Sequence, residues 1–508
     1  KYTMMTWENY FSYNRDFNKK HSLGVTLLQS IQQDLQEDLS GKVQKLPSDI
    51  LKYYDLASGL MIDGVGSDYI KWNMASFMGR VNYGYMGRYL LTLSARYDGS
   101  SRLAEGHKWV LFPSAALAWR ISDEPFMKDL VWLDNLKLRV GYGKTGNSAV
   151  SPYQTKGQLA LRHYVFNNGS SEYIGYAPSV MANDQLTWET TDQWNVGVDF
   201  GFLKNRINGT VEFYLQNTKD LLLKRQLPVV SGFSSVMSNV GSTRNKGIEI
   251  TLNTRNIMNR NFTWSTDLTF SANKEEIVEL YNGKTDDVGN LWFIGQPIDV
   301  YYNYKKIGIW QNTENDLAEM AKFNEKGANF KPGSIRLEDV DGDYKITEED
   351  KQILGSVRPK FVASMVNNFE FKGFDLSVFL YASVGGLLRN NIEFMEKPGR
   401  GNTVKVDYWT PTNPTNAFPR PSVDVEKLDY ISTLGYDKAD FLRIRNITLG
   451  YTLPEMWSKK VLMDKIRIYL SANNPAIFTN FTGIDPEGAN GRTAPSYSTW
   501  MFGINLSM

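Results

Sequence analysis

The alternation of side chains in the closing segment, Trp500 to Met508, limits the folds open to this chain more than any other feature. Trp500, Phe502, Ile504, Leu506 and Met508 fall on one face of an extended segment; Met501, Gly503, Asn505 and Ser507 fall on the other. Successive side chains of a strand point to opposite sides, so one face is apolar and the other mostly polar or small. The pattern recurs upstream. Tyr89, Leu91, Leu93, Ala95 and Tyr97 alternate with Leu90, Thr92, Ser94 and Arg96, and Leu136, Leu138, Val140 and Tyr142 alternate with Lys137, Arg139, Gly141 and Gly143. Ile466, Ile468, Leu470 and Ala472 alternate with Arg467, Tyr469 and Ser471. A soluble sandwich or propeller also alternates, but its strands are usually about five or six residues long. Long segments with aromatic ends match instead a barrel whose apolar belt is bounded by aromatic girdles. The fold class is therefore all-β, a transmembrane antiparallel β-barrel.

Charge and composition remove other classes. The formal net charge is only +1, which leaves no basic excess to neutralise phosphates, so no nucleic-acid partner is expected. No apolar run is long enough for a membrane helix, and a barrel crosses the lipid bilayer without one because its backbone groups pair between strands. The absence of cysteine excludes disulfides, thiolate chemistry and Cys-ligated zinc. Gly141-Tyr-Gly-Lys-Thr-Gly146 has the spacing of a dinucleotide loop, yet Asn147, Ser148 and Pro152 follow where a helix would have to open. His21, His107 and His163 are scattered, and no carboxylate pair nominates a general acid and base. No enzymatic activity is expected.

Connections set the topology. Turn-like links stand at Gly84–Gly87, Leu203–Asn205, Ile257–Arg260 and Phe371–Gly373, and long excursions at Ile31–Tyr69, Thr145–Asp192, Leu221–Ser242, Asn273–Lys360 and Gly385–Asp440. Outer-membrane barrels place short turns in the periplasm and long loops outside. The assignment predicts about fifteen strands, with Met508 on the periplasmic side and the first strand running downward. An odd number of earlier strands is then required. About seven more give about 22, the size of a large plugged transporter barrel. Residues 1–508 thus read as the C-terminal part of a barrel, with residues 273–360 as a large extracellular insertion. Leu442 to Tyr451 changes phase near Asn446, which predicts a β-bulge.

Inside the longest loop lies Asp339-Val-Asp341-Gly-Asp343-Tyr-Lys345-Ile-Thr347-Glu-Glu-Asp350. Oxygens of Asp339, Asp341, Asp343, Thr347 and Asp350, with the backbone carbonyl of Lys345, match the spacing of a calcium loop. Glycine stands fourth, and Tyr344 holds the sixth position, where EF-hands want glycine. The expected cofactor is a structural Ca²⁺ stiffening the loop at 339–350.

Several motifs resemble those of SusC/RagA-type TonB-dependent outer-membrane transporters. They are Ser94-Ala-Arg-Tyr-Asp-Gly-Ser-Ser-Arg-Leu103, the run Phe112-Pro-Ser to Asp-Glu-Pro-Phe-Met127, Leu136-Lys-Leu-Arg139 with Gly141–Asn147, Trp188-Glu-Thr-Thr191, Asn239-Val-Gly241, Asn245-Lys-Gly-Ile-Glu249 and Phe481-Thr-Gly-Ile-Asp-Pro-Glu487. Leu103 and Met508 depart from the pattern, each standing where that family usually has an aromatic residue. The resemblance implies active import of bulky nutrients, oligosaccharides or oligopeptides, across the outer membrane of a Gram-negative bacterium. It also implies an N-terminal plug and early barrel strands of the same protein, energy from TonB through that N-terminal part, a SusD-like surface lipoprotein over the mouth, and a dimer of transporter–lipoprotein pairs. A passive porin or a structural surface barrel is the alternative. Loop aromatics, Trp292, Phe293, Tyr301, Tyr302, Tyr304, Trp310, Tyr408 and Trp409, are the candidates for contact with cargo or lid, because aromatic planes stack on sugars and pack against peptides alike.

Overall fold

The computed structural model describes residues 1–48, 50, 52–166, 169, 171–390, 406–421, 428–488 and 496–508. Fifteen strands form one sheet in which each pairs antiparallel with its neighbours in chain order. They are Tyr2–Phe17, His21–Gln44, Met61–Tyr85, Tyr89–Ser100, Trp109–Arg120, Leu133–Asn147, Glu189–Phe202, Ile207–Lys219, Ser242–Met258, Phe262–Glu279, Phe361–Phe371, Phe374–Val384, Phe441–Thr452, Lys465–Thr479 and Thr499–Ser507. No helix among the described residues is long and apolar enough to cross a membrane. Among the described residues the first and last strands each pair on one side only, so the sheet is an open arc with two free edges.

The short turns adopt backbone that matches the strand twist. Phe371 and Phe374 face each other across Lys372 and Gly373, whose φ angles are 47° and 90°, as a two-residue primed turn requires. A Cβ at Gly373 would lie 2.9 Å from the Thr452 carbonyl oxygen, which bars any other residue there.

Register converts the alternation into two continuous surfaces. Leu23, Tyr83, Leu91, Leu117, Val140, Val196, Phe213, Ile248 and Ala272 are cross-strand partners in sequence around the arc. On the opposite face run Thr26, Arg80, Ser94, Ser114, Gly143, Gln193, Gln216, Asn245 and Glu275. The first row carries no charge and one hydroxyl; the second is polar or small throughout. Because a one-residue slip would exchange the two faces, this register is strongly specified. The bulge falls where the phase change predicts it. Leu380 faces Ile444 and Phe379 faces Asn446, leaving Arg445 as the extra residue. That insertion keeps Leu442, Ile444, Ile447, Leu449 and Tyr451 on the same apolar side.

Aromatic residues gather toward the two ends of the outer face. Near the short turns Tyr85, Tyr89 and Trp119 stack in series, with centroids 6.3 and 6.2 Å apart. Near the long loops Tyr97 stacks on Trp109 at 5.0 Å, and Tyr142 lies 4.9 Å from Trp194. These are the girdles of a membrane barrel.

The long excursions are more structured than their composition suggests. Ile31–Tyr69 is not one loop: His21–Gln44 and Met61–Tyr85 pair for 24 and 25 residues. A tilted membrane strand needs about 9–11, so the hairpin rises well beyond the belt. Thr145–Asp192 contains the hairpin Gln158–Phe166 with Ser171–Val180, and Leu221–Ser242 contains Leu222–Gln226 with Ser235–Asn239. Residues 391–405 and 422–427 of the Gly385–Asp440 excursion lie outside the described residues.

The 273–360 segment is not a self-contained insertion. The strand Phe262–Glu279 runs into it, and the rest folds jointly with residues 406–421 and 428–440 into a cap. The helix Glu314–Glu325 starts where the Thr313 side chain accepts the Asp316 N–H, with Glu314 and Asp316 in its first turn, both favourable at a helix N-terminus. Met320 and Phe323, three residues apart on one side, bury against Trp310 and Phe330. Ile309, Ile335, Leu337, Trp409 and Leu434 form a second core drawn from both segments. Lys306 crosses between them, donating to the carbonyls of Asn416 (2.8 Å) and Ala417 (2.6 Å). Burial pushes its ammonium pKa down.

Candidate functional site

The concave polar face and the cap above it define the site. On the concave face, Arg139 makes a bidentate pair with Asp199 at 2.9–3.3 Å, with Lys137 and Glu212 close by. Ser94 and Ser114 are 2.6 Å apart, and Tyr214 donates to Asn273 at 3.0 Å. Amides, hydroxyls and neutralised charge pairs offer many hydrogen bonds and no strong single-sign field.

The last loop is tied to this face by a buried ion pair that composition alone does not reveal. Arg443 and Asp485 approach to 2.7 Å with both side chains under a tenth exposed, and Arg443 Nε lies 2.9 Å from Glu487. Burial would raise the Asp485 pKa. The Ser496 hydroxyl, the Glu487 N–H and Arg443 outweigh it and hold the carboxyl below its ordinary value. The signal available in the sequence was the pair of cations Arg443 and Arg445 set against Asp485 and Glu487.

The acidic loop folds as a tight bowl. Carboxylate oxygens of Asp339, Asp341 and Asp343 lie within 4.8 Å of one another. Asp339 accepts the N–H groups of Gly342 (2.8 Å) and Tyr344 (2.9 Å), Asp341 that of Asp343 (3.2 Å), and Asp343 that of Lys345 (2.7 Å). Asp350 is fully buried, its two oxygens accepting from Val340 and Thr347 at 2.8 and 2.7 Å. The Thr347 hydroxyl accepts from Glu349 and caps a short helical turn. Each carboxylate oxygen so engaged keeps a second acceptor site. Tyr344 takes the left-handed backbone that the sixth position of such loops needs, φ 60°, although it is not glycine. Its ring packs on Phe323 at 5.5 Å and under Lys322 at 5.0 Å, anchoring the bowl to the helix.

The loop aromatics divide by burial. Trp310 is 1% exposed, beneath the Arg336 guanidinium 4.4 Å from its ring. Trp409 is buried, its indole donating to Gln311 at 2.8 Å, and Phe293 is buried against Tyr302 at 4.8 Å. These three are core residues of the cap, buried where contact with cargo or lid calls for an exposed ring. Tyr301 packs edge-on against Tyr436 (5.2 Å) and Tyr304 against Tyr430 (5.5 Å), so both hold cap segments together. Trp292 and Tyr302 are half-buried, whereas Tyr408 is exposed. Leu103, standing where an aromatic residue is usual, fills a buried cluster with Phe112, Val150 and Trp188. The glycines at 141, 143 and 146 lie inside the strand Leu133–Asn147, not in a phosphate loop.

An antiparallel arc with an apolar convex face, a polar concave face and aromatic girdles is the wall of an outer-membrane β-barrel. Residues 2–474 match the profile described as TonB dependent receptor-like, beta-barrel, and the chain belongs to that family. TonB-dependent receptor P3 of Formosa agariphila is 32% identical over 98% of this chain and 52% of its own length. TonB-dependent receptor SusC of Bacteroides thetaiotaomicron is 32% identical over 85% of this chain and 43% of its own. The RagAB peptide importer in its open-open state is similar at a TM-score of 0.83 and 25% identity, over 100% of this chain and 55% of that one. The chain therefore spans about half the length of the relatives it matches.

Proposed function

We propose that this chain is most of the wall and the extracellular cap of an active importer for bulky nutrients, oligosaccharides or oligopeptides. The observation that carries the reading is the open fifteen-stranded arc. A free strand edge is not tolerated in hydrocarbon, where unpaired backbone groups have no water to bond, so both edges need partners. Further strands of the same polypeptide would supply them, with a plug filling the lumen and a contact for TonB. A SusD-like lipoprotein would sit on the cap, and two such pairs would form a dimer. The half-length match and the likeness to SusC and RagAB support this. The joint packing of 273–360 with 406–421 and 428–440 suits the cap to carry a lid, because it presents a shaped surface rather than slack loops. The test is uptake of labelled oligosaccharide and peptide pools by cells carrying the full-length gene. Uptake should vanish when TonB or the neighbouring lipoprotein is deleted, and uptake that survives both deletions would leave a passive porin.

The 339–350 bowl is proposed to hold a structural Ca²⁺. Asp339, Asp341 and Asp343 would ligate through side chains, Lys345 through its carbonyl, Thr347 directly or through water, and Asp350 would close the shell. Their support is the convergence of three carboxylates and the left-handed turn at Tyr344. Bound metal would neutralise the clustered charge and stiffen the cap beside the Glu314–Glu325 helix. Calcium should raise protease resistance of the cap, and Asp341→Ala with Asp343→Ala should abolish both the protection and the bound metal; unchanged protection would overturn the assignment.

A further inference from the structure

The upper rim of the convex face changes character around the arc. Over the first five strands one cross-strand row reads Trp7, Ile31, Ala75, Gly99 and Trp109, without charge. Further round, the row that begins with the girdle aromatics Tyr142 and Trp194 continues through Leu215 to Lys246 and Lys274. The row one step nearer the long loops reads Lys144, Asp192, Asn217, Arg244 and Glu276. Lys219 stands one step higher again on the same face, opposite Thr190 and Ser242.

Two features of this patch ask for an external anion. Lys246 and Lys274 are directly opposite each other, an arrangement that places like charges about 5 Å apart at Cβ and is destabilising by itself. Moreover, the acids of the patch leave it with excess positive charge. Glu276 lies 3.5 Å from Arg244 and 3.8 Å from Lys274, and Asp192 accepts the Tyr142 hydroxyl at 2.8 Å. Lys144, Lys219 and Lys246 have no ion-pair partner among the described residues, and the Lys274 side chain is 65% exposed. Five cations, Lys144, Lys219, Arg244, Lys246 and Lys274, thus face three acids, Asp192, Glu276 and Glu279, at and just above the aromatic girdle. At that level a barrel meets the headgroups of the outer leaflet.

We propose that Lys246, Lys274 and Arg244 clamp the phosphate groups of a phosphorylated outer-leaflet glycolipid. A phosphate between the opposed ammonium groups would turn their repulsion into two charge-assisted hydrogen bonds. Phe213 and Ile248 on the same face, one step nearer mid-membrane, give the acyl chains an apolar bed, and the girdle pair Tyr142–Trp194 bounds the site on one flank. Clusters of basic residues at a membrane boundary are attracted to anionic headgroups in this way.

The inference rests on the outer-membrane placement but not on transport, so nutrient uptake measured in parallel keeps the two readings apart. Full-length protein in neutral detergent would be titrated with diphosphorylated lipid A, with its dephosphorylated form and with inorganic phosphate, following thermal unfolding. Wild type should be stabilised by the diphosphorylated lipid alone. Lys246→Gln with Lys274→Gln should weaken that response by about tenfold in lipid concentration, whereas Lys246→Arg with Lys274→Arg should keep it. Lys460→Gln, an exposed residue at the opposite end of the barrel, should behave as wild type. An unchanged response in the Gln pair, or equal stabilisation by dephosphorylated lipid, would overturn the proposal. So would an unchanged lipid response accompanied by loss of a co-purified protein from the Gln pair, which would make the patch a protein contact.

Discussion

The wall and the cap use the same residue types in opposite ways. In the wall, large apolar side chains such as Phe213, Leu117 and Phe502 are more than half exposed on the convex face, while serines, amides and ion pairs face inward. In the cap, Trp310, Ile309 and Leu337 are hidden, and the buried carboxylate of Asp350 is held by backbone N–H groups. Water dictates the second arrangement and hydrocarbon the first. Apolar residues therefore mark the core only after the solvent on each side has been identified.

The contrast can be broken experimentally, beginning where the expected effect is greatest. Trp310→Ala should cost the cap about 3–5 kcal/mol, the usual loss for a buried tryptophan. Hydrogen exchange should rise across the Glu314–Glu325 helix while the wall strands stay protected. Loss of protection throughout would mean that cap and wall fold as one unit. Next, Leu91→Arg or Leu138→Arg should destabilise the wall by about 2–4 kcal/mol in denaturant titrations from lipid vesicles. Thr92→Arg and Ser265→Arg, on the concave face, should cost far less. Equal penalties on the two faces would contradict a lipid-facing convex side.

Smaller effects sharpen the same comparison. Gly342 adopts φ 76°, and a Cβ added there would meet open space, so Gly342→Ala should cost about 1 kcal/mol through backbone strain alone. A shift confined to the cap transition in a thermal scan would place that cost correctly. The Arg443–Asp485 tie supplies a pH dependence. Because the folded Asp485 pKa is lowered, its contribution is complete above the unfolded carboxylate value near 4 and is lost as pH falls through the folded value. Exchange in residues 480–488 should therefore quicken upon acidification below about pH 4. Arg443→Gln should make that loop equally labile at neutral pH.

The wall was legible because its determinants are local. Period-two alternation set the faces, short turns such as Lys372-Gly373 set the links, and the phase change at Asn446 located the bulge at Arg445. The cap was not legible. Trp310 and Trp409 carry the same aromatic signal whether they stack on cargo or fill a core, and only the union of 273–360 with 406–421 and 428–440 decides between these. The ion pair of Arg443 with Asp485 and the opposition of Lys246 to Lys274 likewise depend on register between strands. The acidic loop lies between these cases, since its spacing is local but the left-handed Tyr344 is held by packing on Phe323.

The chain has no cysteine, so single cysteines can be introduced along Tyr89–Tyr97 in the full-length protein and spin-labelled in bilayers. Collisions with oxygen should dominate at positions 91, 93 and 95, and collisions with a water-soluble nickel chelate at 92, 94 and 96, alternating with period two. Nickel access at the odd positions equal to that at the even ones would contradict a convex face wetted by lipid.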